Sequence, residues 1–138
     1  MNFFFISNYQ FKVTTYSYNS FDDIIHNFGF KESLDLSQHN YFDWSKIDCW
    51  KFEYGNKTHL ELESRFIKSE PYKMESPFLI RLKHNLPLIE VEATELAKML
   101  EDLCYETGMG WEAISVNGQH ILEFTDSFEY MVKSNFPI

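Results

Sequence analysis

Cysteine is scarce in this chain of 138 residues, which contains only Cys49 and Cys104. Two cysteines so far apart match neither the dense disulfide framework of a small secreted domain nor the paired spacing of a zinc site. We therefore predict two reduced thiols rather than a disulfide, which is typical of a cytoplasmic protein.

Long apolar runs are also missing. No segment approaches the roughly 20 consecutive apolar residues that a membrane-spanning helix needs. The stretch Met1 to Ser7 holds a short apolar run without a basic region before it, so we do not expect a signal peptide. These features predict a cytoplasmic protein without membrane contacts.

Basic residues are outnumbered, with 12 Lys and Arg against 21 Asp and Glu, for a formal net charge of −9. Direct binding of nucleic acid requires cations that replace the counterions of the phosphates, so this balance argues against it. It favours solubility or association with a basic protein surface.

The motifs that carry most enzyme chemistry are absent from the sequence. There is no Gly-rich phosphate loop, no nucleophile elbow, and no pair of cysteines or histidines with zinc-ligand spacing. The five histidines are scattered over different predicted elements: His26, His39, His59, His84 and His120. We therefore predict no catalytic residue, no cofactor and no metal, and a protein that is not an enzyme.

The excess acidic charge is concentrated in the last part of the chain. Residues 86–138 contain ten acidic and two basic side chains, a net charge of −8. Residues 1–85 contain eleven acidic and ten basic side chains, a net charge of −1.

An amphipathic helix is predicted over residues 93–106, with Gly108 and Gly110 ending it. Its apolar residues recur at intervals of three and four: Ala93, Leu96, Leu100 and Leu103. On such a helix Glu95, Asp102 and Glu106 share an outward stripe opposite the apolar one.

A hairpin is predicted around Asn117-Gly118, a pair that favours a two-residue type I′ turn. This turn sets Trp111 opposite Phe124 and Ala113 opposite Leu122, and this face is the better candidate for the core. On the other face it sets Glu112 directly opposite Glu123.

Like charges opposite each other destabilise a hairpin, so Glu112 and Glu123 need an explanation. One is a cation from a third strand, with Arg81 and Lys83 as candidates. The other is a basic partner. A catalytic role requires environments that separate the two pKa values, which a solvated acidic surface does not provide.

The remaining segments complete the predicted elements. We predict strands over residues 2–6, 9–18 and 78–83, a short helix that Ser20 caps and Gly29 closes, a loop over 31–44 and an exposed connection over 68–77. A second hairpin is predicted over 48–66, with the loop Gly55-Asn56-Lys57. A short terminal helix with a capping box is predicted from Asp126.

These elements predict the α+β class in a single domain, residues 1–138. We expect a mostly antiparallel sheet of about six strands, with the main helix 93–106 packed on it and two short helices at its ends or edges.

The C-terminal third resembles small bacterial immunity proteins of contact-dependent or polymorphic toxin systems. The resemblance lies in the chain length, the helix–hairpin–helix ending and the segments Glu123 to Tyr130 and Ser134 to Ile138. It implies a cytosolic inhibitor that binds one cognate toxin domain, often a nuclease. This class shares no catalytic signature, so it assigns no residue of this chain a role.

The acidic face and this resemblance together predict a protein that binds and neutralises a basic toxin domain. Fixed carboxylates steer a basic partner and raise its association rate. The predicted partner-binding residues are Glu95, Asp102, Glu106, Glu112 and Glu123. The alternative is a small-molecule-binding or enzymatic α+β domain with an aromatic-lined pocket. A third possibility is a nucleic-acid mimic with carboxylates spaced like phosphates.

Overall fold

The computed structural model describes residues 4–34, 40–53, 59–82, 85–106, 110–125 and 131–138, without the side chains of 4–5, 59–60 and 105–106. The strands within these ranges are β1 Lys12–Val13, β2 Trp50–Glu53, β3 Phe78–Arg81, β4 Ile89–Val91, β5 Trp111–Ser115, β6 Ile121–Thr125 and β7 Met131–Ser134. The α-helices are α1 Ser20–Asn27, α2 His59–Phe66, α3 Glu70–Lys73 and α4 Ala93–Glu106. Two 3-10 helices are Phe4–Asn8 and Trp44–Lys46.

The seven strands form one sheet in the order β1-β4-β3-β5-β6-β7-β2. Every neighbouring pair in this order is antiparallel. The predicted α+β class and antiparallel sheet are confirmed, with seven strands in place of about six.

The main helix has the predicted bounds, Ala93–Glu106. The carbonyl oxygen of Glu92 accepts hydrogen bonds from the N–H groups of Glu95 and Leu96, at 3.0 and 2.8 Å, so the helix begins directly after Glu92. The apolar sides of α4 and α2 pack against one face of the sheet and form the larger core. The hairpin contributes to this core the four side chains predicted for it: Trp111, Ala113, Leu122 and Phe124.

A second, smaller core lies on the opposite face of the sheet, beneath α1 and the segment 40–47. Its buried apolar residues are Phe21, Ile25, Phe42, Leu79, Leu88, Ile114 and Ile121. Because both faces are covered, β5 is buried along its whole length. The face of the hairpin that was expected to point to solvent is therefore buried in the second core.

The register of the β5–β6 hairpin is confirmed. Trp111 lies opposite Phe124, Glu112 opposite Glu123 and Ala113 opposite Leu122. The alternation of side chains along a strand then places the two glutamates on the face of the second core.

The prediction of a type I′ turn was wrong, because of its two central residues, Asn117 and Gly118, only Gly118 adopts a positive φ, +76°. The N–H of Gly118 donates to the carbonyl of Ser115 at 2.8 Å, and that of Ser115 to the carbonyl of His120 at 2.8 Å. The connection therefore spans residues 116–119. The hydroxyl of Ser115 accepts the N–H of His120 at 3.0 Å and contacts Oδ1 of Asn117 at 2.6 Å. These side-chain bonds close the longer loop.

The N-terminal predictions are partly wrong. The described residues of the predicted strand 2–6 belong to the 3-10 helix Phe4–Asn8, which packs beside α4. Of the predicted strand 9–18, only Lys12–Val13 pairs, with β4 at the edge of the sheet. The predicted helix α1 is confirmed, but the cap was wrong: Asn19 is the N-cap, without a side-chain hydrogen bond, and Ser20 is the first helical residue.

The prediction of a second hairpin over residues 48–66 was also wrong. Trp50–Glu53 is a strand, but its partner is β7, and His59–Phe66 is the helix α2. Alternation at Leu60 and Leu62 favoured a strand, whereas the buried side chains Leu62 and Phe66 are four residues apart, which fits one side of a helix. The predicted loop Gly55-Asn56-Lys57 lies outside the described residues.

The terminal helix was wrong within the described residues, because Met131–Ser134 forms strand β7 between β6 and β2. An unpaired edge of β6 would leave its N–H and C=O groups without partners, and β7 pairs with them. The predicted capping box at Asp126 lies outside the described residues, as do Lys83 and Gly108. The connection 68–77 contains the short helix α3, which begins at Glu70 and has Pro71 in its first turn. It is only partly exposed, because Ser69, Pro71 and Ser76 are buried.

Cys49 and Cys104 are both free thiols, as predicted. Among the described residues, no helix has the length and apolar character required to span a membrane.

Substitution of Gly118 tests the contact between the hairpin loop and α1. A Cβ atom at Gly118 would lie 1.9 Å from Cδ1 of Phe28, and the positive φ adds backbone strain. We expect Gly118→Ala to lower the free energy of unfolding by about 1–3 kcal/mol in urea denaturation. Gly29→Ala is the matched control, because Gly29 has φ +89° and open space at Cβ. Equal losses in the two variants would contradict a role for the Phe28 contact.

Candidate functional site

Five charged residues form a continuous row across the sheet, on the side of the second core. Following the strand order β3, β5, β6, β7 and β2, they are Arg81, Glu112, Glu123, Lys133 and Lys51. Each residue lies directly opposite the next in the sheet register, and the charges run positive, negative, negative, positive, positive. We call this set the charged row.

Arg81 forms the closed end of the charged row and is only 4% exposed. Its Nε donates to Oε2 of Glu112 at 3.0 Å, and an Nη atom lies 3.4 Å from Oδ1 of Asp22 in α1. Burial disfavours the charged guanidinium, but the attraction of Glu112 outweighs it and raises the pKa of Arg81. This ion pair confirms the third-strand cation that the sequence analysis considered for Glu112.

Aromatic rings surround the same guanidinium. Its central carbon lies 4.8, 5.0 and 4.0 Å from the ring centroids of Tyr18, Phe21 and Tyr41. Such contacts between a cation and aromatic rings are favourable, especially where water is excluded. The hydroxyl of Tyr41 also donates to Asp22, so α1 and the segment that contains Tyr41 are both attached to Arg81.

Glu123 lies at the centre of the charged row and is 1% exposed. Its carboxylate accepts hydrogen bonds from the backbone N–H of Tyr41, from the backbone N–H of Phe42 at 3.1 Å and from Nε1 of Trp44 at 2.8 Å. Burial raises its pKa from the ordinary 4.5 to about 7, against the lowering effect of these donors. Glu123 therefore fixes residues 41–44 to the sheet.

A half-open pocket of about 370 Å³ lies at the Lys133–Lys51 end of the charged row. It is lined by Ser33, Asn40, Phe42, Asp43, Trp44, Ser45, Cys49, Lys51 and Lys133. Nζ of Lys133 donates to Oδ1 of Asn40 at 2.8 Å. The lining therefore contains two lysines and one acidic residue, Asp43.

Two of the five predicted partner-binding residues lie inside the protein. Glu112 and Glu123 are 3% and 1% exposed, so the exposed acidic face does not include them. This corrects the prediction of their location. The physical reason is the second core, whose α1 and 40–47 segments cover this side of the hairpin.

The acidic stripe of α4 has a different environment. The N–H of Gln10 donates to Oε1 of Glu95 at 3.0 Å, and the hydroxyl of Tyr9 donates to Oδ2 of Asp102. Both carboxylates are thus partly covered by the N-terminal segment. The side chain of Glu106 lies outside the described ones.

The sequence analysis missed the residues that complete the charged row. Lys133 was assigned to a helix, and Asp22, Tyr41 and Trp44 were not connected with Glu123 or Arg81. No local pattern contains these contacts, because about 80 residues separate Glu123 from Tyr41 and Trp44. The unexplained pair of opposed glutamates was the one signal that pointed to this region.

The buried groups of the charged row have structural contacts on every side that the structure describes. Glu123 has three donors on its carboxylate and almost no exposure, so it is not positioned to reach a substrate. Among the described residues, no group of three or more His, Cys, Asp and Glu side chains is arranged to hold a metal ion.

Removal of Arg81 tests the closed end of the charged row. Arg81→Met leaves Glu112 buried without this cation, which typically costs about 3–5 kcal/mol. We expect that loss in urea denaturation, and a smaller loss in the double variant Arg81→Met/Glu112→Gln, because it removes both charges. Lys98→Met, at an exposed position, is the control and should change stability by less than about 0.5 kcal/mol. If the loss in the double variant equals the sum of the losses in Arg81→Met and Glu112→Gln, the two residues are not coupled.

Glu123 should impose a pH dependence on stability. Because its folded pKa is raised to about 7 from 4.5, the folded protein binds the proton more tightly than the unfolded chain. The contribution of this proton to the free energy of unfolding is therefore fully present below pH 4.5. It is lost as the pH rises to about 7, by at most about 1.4 kcal/mol per pH unit. We expect Glu123→Gln to remove this slope, measured by urea denaturation at pH 4.5–7.5. Glu53→Gln, at an exposed position of β2, should retain it; an unchanged slope in Glu123→Gln would contradict the assignment.

Comparisons with protein-family models, with curated proteins and with solved structures find no match to this chain. The charged row, the pocket and the acidic α4 surface are therefore the basis for a functional proposal.

Proposed function

We propose that this protein is a cytosolic inhibitor of the immunity-protein type, which binds and neutralises a basic toxin domain, in particular a nuclease. It acts by occupying the partner's cationic surface and catalyses no reaction of its own. The acidic surface of α4 is its docking face, in line with the resemblance of the C-terminal third to immunity proteins.

The observation that carries this proposal is the fixed set of carboxylates on α4. Glu95 and Asp102 are held by donors from the N-terminal segment, and Glu101 lies beside Asp102 on the same helix. Together with burial, the main effect, the three carboxylates raise the pKa of Tyr9 to about 12. Oε2 of Glu95 also lies 3.8 Å from Nζ of the exposed Lys98. A carboxylate has about four acceptor sites, so Glu95 and Asp102 remain able to bind a further cation.

Most of the charged side chains of the protein are not buried. Arg81, Glu112 and Glu123 are the buried charged groups among the described residues. Without them, the chain retains 11 basic and 19 acidic side chains, a net charge of −8. Residues 92–106 contain five acidic side chains against Lys98 alone. Such a surface accelerates encounter with a basic partner.

The proposed docking face contains Glu101 and excludes the buried Glu112 and Glu123. Reversal of the two buried glutamates would disrupt the charged row and would not report on binding. Carboxylates fixed before binding lose little conformational entropy on association, which favours affinity. Glu95 and Asp102 meet this condition.

Affinity capture from a lysate of the source organism, at 50 mM and 500 mM salt, identifies the partner. We expect one stoichiometric basic protein that is weakened at high salt, and whose purified toxic domain loses activity when this protein is added. A captured protein whose activity is unaffected would argue against the inhibitor role.

The docking face is tested by neutralisation that preserves shape. In Glu95→Gln/Glu101→Gln/Asp102→Asn the acceptors for Gln10 and Tyr9 remain, but three charges are lost. We expect affinity for the captured partner to fall about tenfold to a hundredfold by calorimetry. The control Asp23→Asn/Asp48→Asn/Glu53→Gln loses the same charge at exposed positions outside α4 and should bind nearly as wild type. If both variants lose the same affinity, the effect depends only on the net charge of the protein, and α4 is not the docking face.

A second candidate function is a small-molecule-binding or enzymatic domain. The pocket at the Lys133–Lys51 end of the charged row favours its binding form, because its volume lies within the range of small-ligand sites.

A further inference from the structure

The open end of the charged row carries two adjacent cations. Lys51 and Lys133 lie directly opposite each other on β2 and β7, an arrangement that destabilises a sheet when the charges are equal. Lys133 is opposite Glu123 on its other side and donates to Asn40. Lys51 is exposed and forms no hydrogen bond or ion pair with another described residue. The charged row thus ends in an unneutralised cation at the mouth of a pocket.

The other charged groups around this pocket do not neutralise it. Asp43 is the one acidic residue in the lining, and its Oδ1 already accepts the N–H and the hydroxyl of Ser45, at 3.1 and 2.6 Å. Those bonds and the nearby Lys46 and Lys31 lower the pKa of Asp43. Glu123 lies beneath Trp44 with its donors in place. The lining therefore presents more cationic than anionic capacity, in a chain whose net charge is −9.

The walls of the pocket are fixed and contain further donors. Trp44 is held by Glu123, and Asn40 by Lys133, so the shape does not depend on a ligand. The hydroxyl of Ser45 already donates to Asp43, but the side-chain amide of Asn40, whose oxygen accepts from Lys133, still has its N–H groups to donate. A carboxylate or phosphate group between two lysines, with an amide donor nearby, matches this composition.

We propose that this pocket binds a small organic anion, which carries a carboxylate or phosphate group between Lys51 and Lys133 and places its body against Trp44. The ligand offsets the repulsion between the two lysines, and the volume of about 370 Å³ limits it to metabolite size. The pocket lies on the face of the sheet opposite α4, so this site does not depend on the docking face proposed above.

Cys49 provides a reporter inside the pocket. It belongs to the lining, whereas Cys104, the other cysteine of the chain, is buried. Burial raises the pKa of both thiols, so access of the reagent decides which one reacts. Alkylation under native conditions therefore reports on Cys49. Iodoacetate and iodoacetamide transfer similar groups to the thiolate with loss of iodide but differ in charge, so the ratio of their rates measures the local potential independently of the thiol pKa.

The first test measures this ratio in wild type, in Lys51→Met and in Lys51→Met/Lys133→Met, at constant low ionic strength. The ratio of the iodoacetate rate to the iodoacetamide rate is normalised to that of a cysteine peptide. We expect this ratio to be above one in wild type and to fall on the order of three- to tenfold in the variants. Lys98→Met, an exposed lysine of α4, is the matched control and should retain the wild-type ratio. Lys51→Met alone keeps the test valid if the double variant does not fold.

The second test measures protection of Cys49 from iodoacetamide by inorganic phosphate, pyrophosphate and benzoate, against chloride at equal ionic strength. We expect saturable protection by at least one anion, weakened tenfold or more in Lys51→Met. Protection by the phosphates assigns the ligand to phosphate chemistry, and protection by benzoate to carboxylates. An unchanged alkylation ratio in Lys51→Met, or the absence of saturable protection by all three anions, would overturn the proposal.

Discussion

The fold depends on how two opposed glutamates are kept inside a sheet. Each buried carboxylate is costly in a low-dielectric interior unless it is paired or hydrogen-bonded. Glu112 meets this condition through Arg81, and Glu123 through the donors of residues 41–44. The donors to Glu123 belong to the segment 41–44, and Tyr41 of this segment also donates to Asp22 of α1. The contacts that stabilise the buried carboxylates therefore also hold α1 and this segment on the sheet.

The two ends of the charged row differ in a way that separates stability from binding. At the Arg81 end, aromatic rings and Asp22 enclose the cation and leave no room for another molecule. At the Lys51 end, the cation is exposed beside a pocket. The charged row is therefore enclosed at its Arg81 end and open to solvent at its Lys51 end, where we propose that the small anion binds.

The acidic surface of α4 belongs to a different part of the molecule. Its carboxylates organise the N-terminal segment through Tyr9 and Gln10, yet most of the negative charge remains on the surface. A protein that binds a basic partner on one side and a small anion on the other would separate the two ligands by the thickness of a twisted sheet. The variants for the two surfaces share no residue, so each role is testable by itself.

What the sequence determined by itself was local. The spacing of Leu96, Leu100 and Leu103 was sufficient for α4, because it depends on residues a few positions apart. The position of Asn117-Gly118 gave the correct register of the β5–β6 hairpin, although the predicted turn type was wrong. The opposed glutamates correctly indicated a missing cation, and Arg81 supplies it. Only the tertiary structure decided that residues 131–134 are a strand and 59–66 a helix, because sheet edges and packing against α4 outweigh an ambiguous period. It also decided that Glu112 and Glu123 are internal, since the covering layer comes from residues distant in the chain.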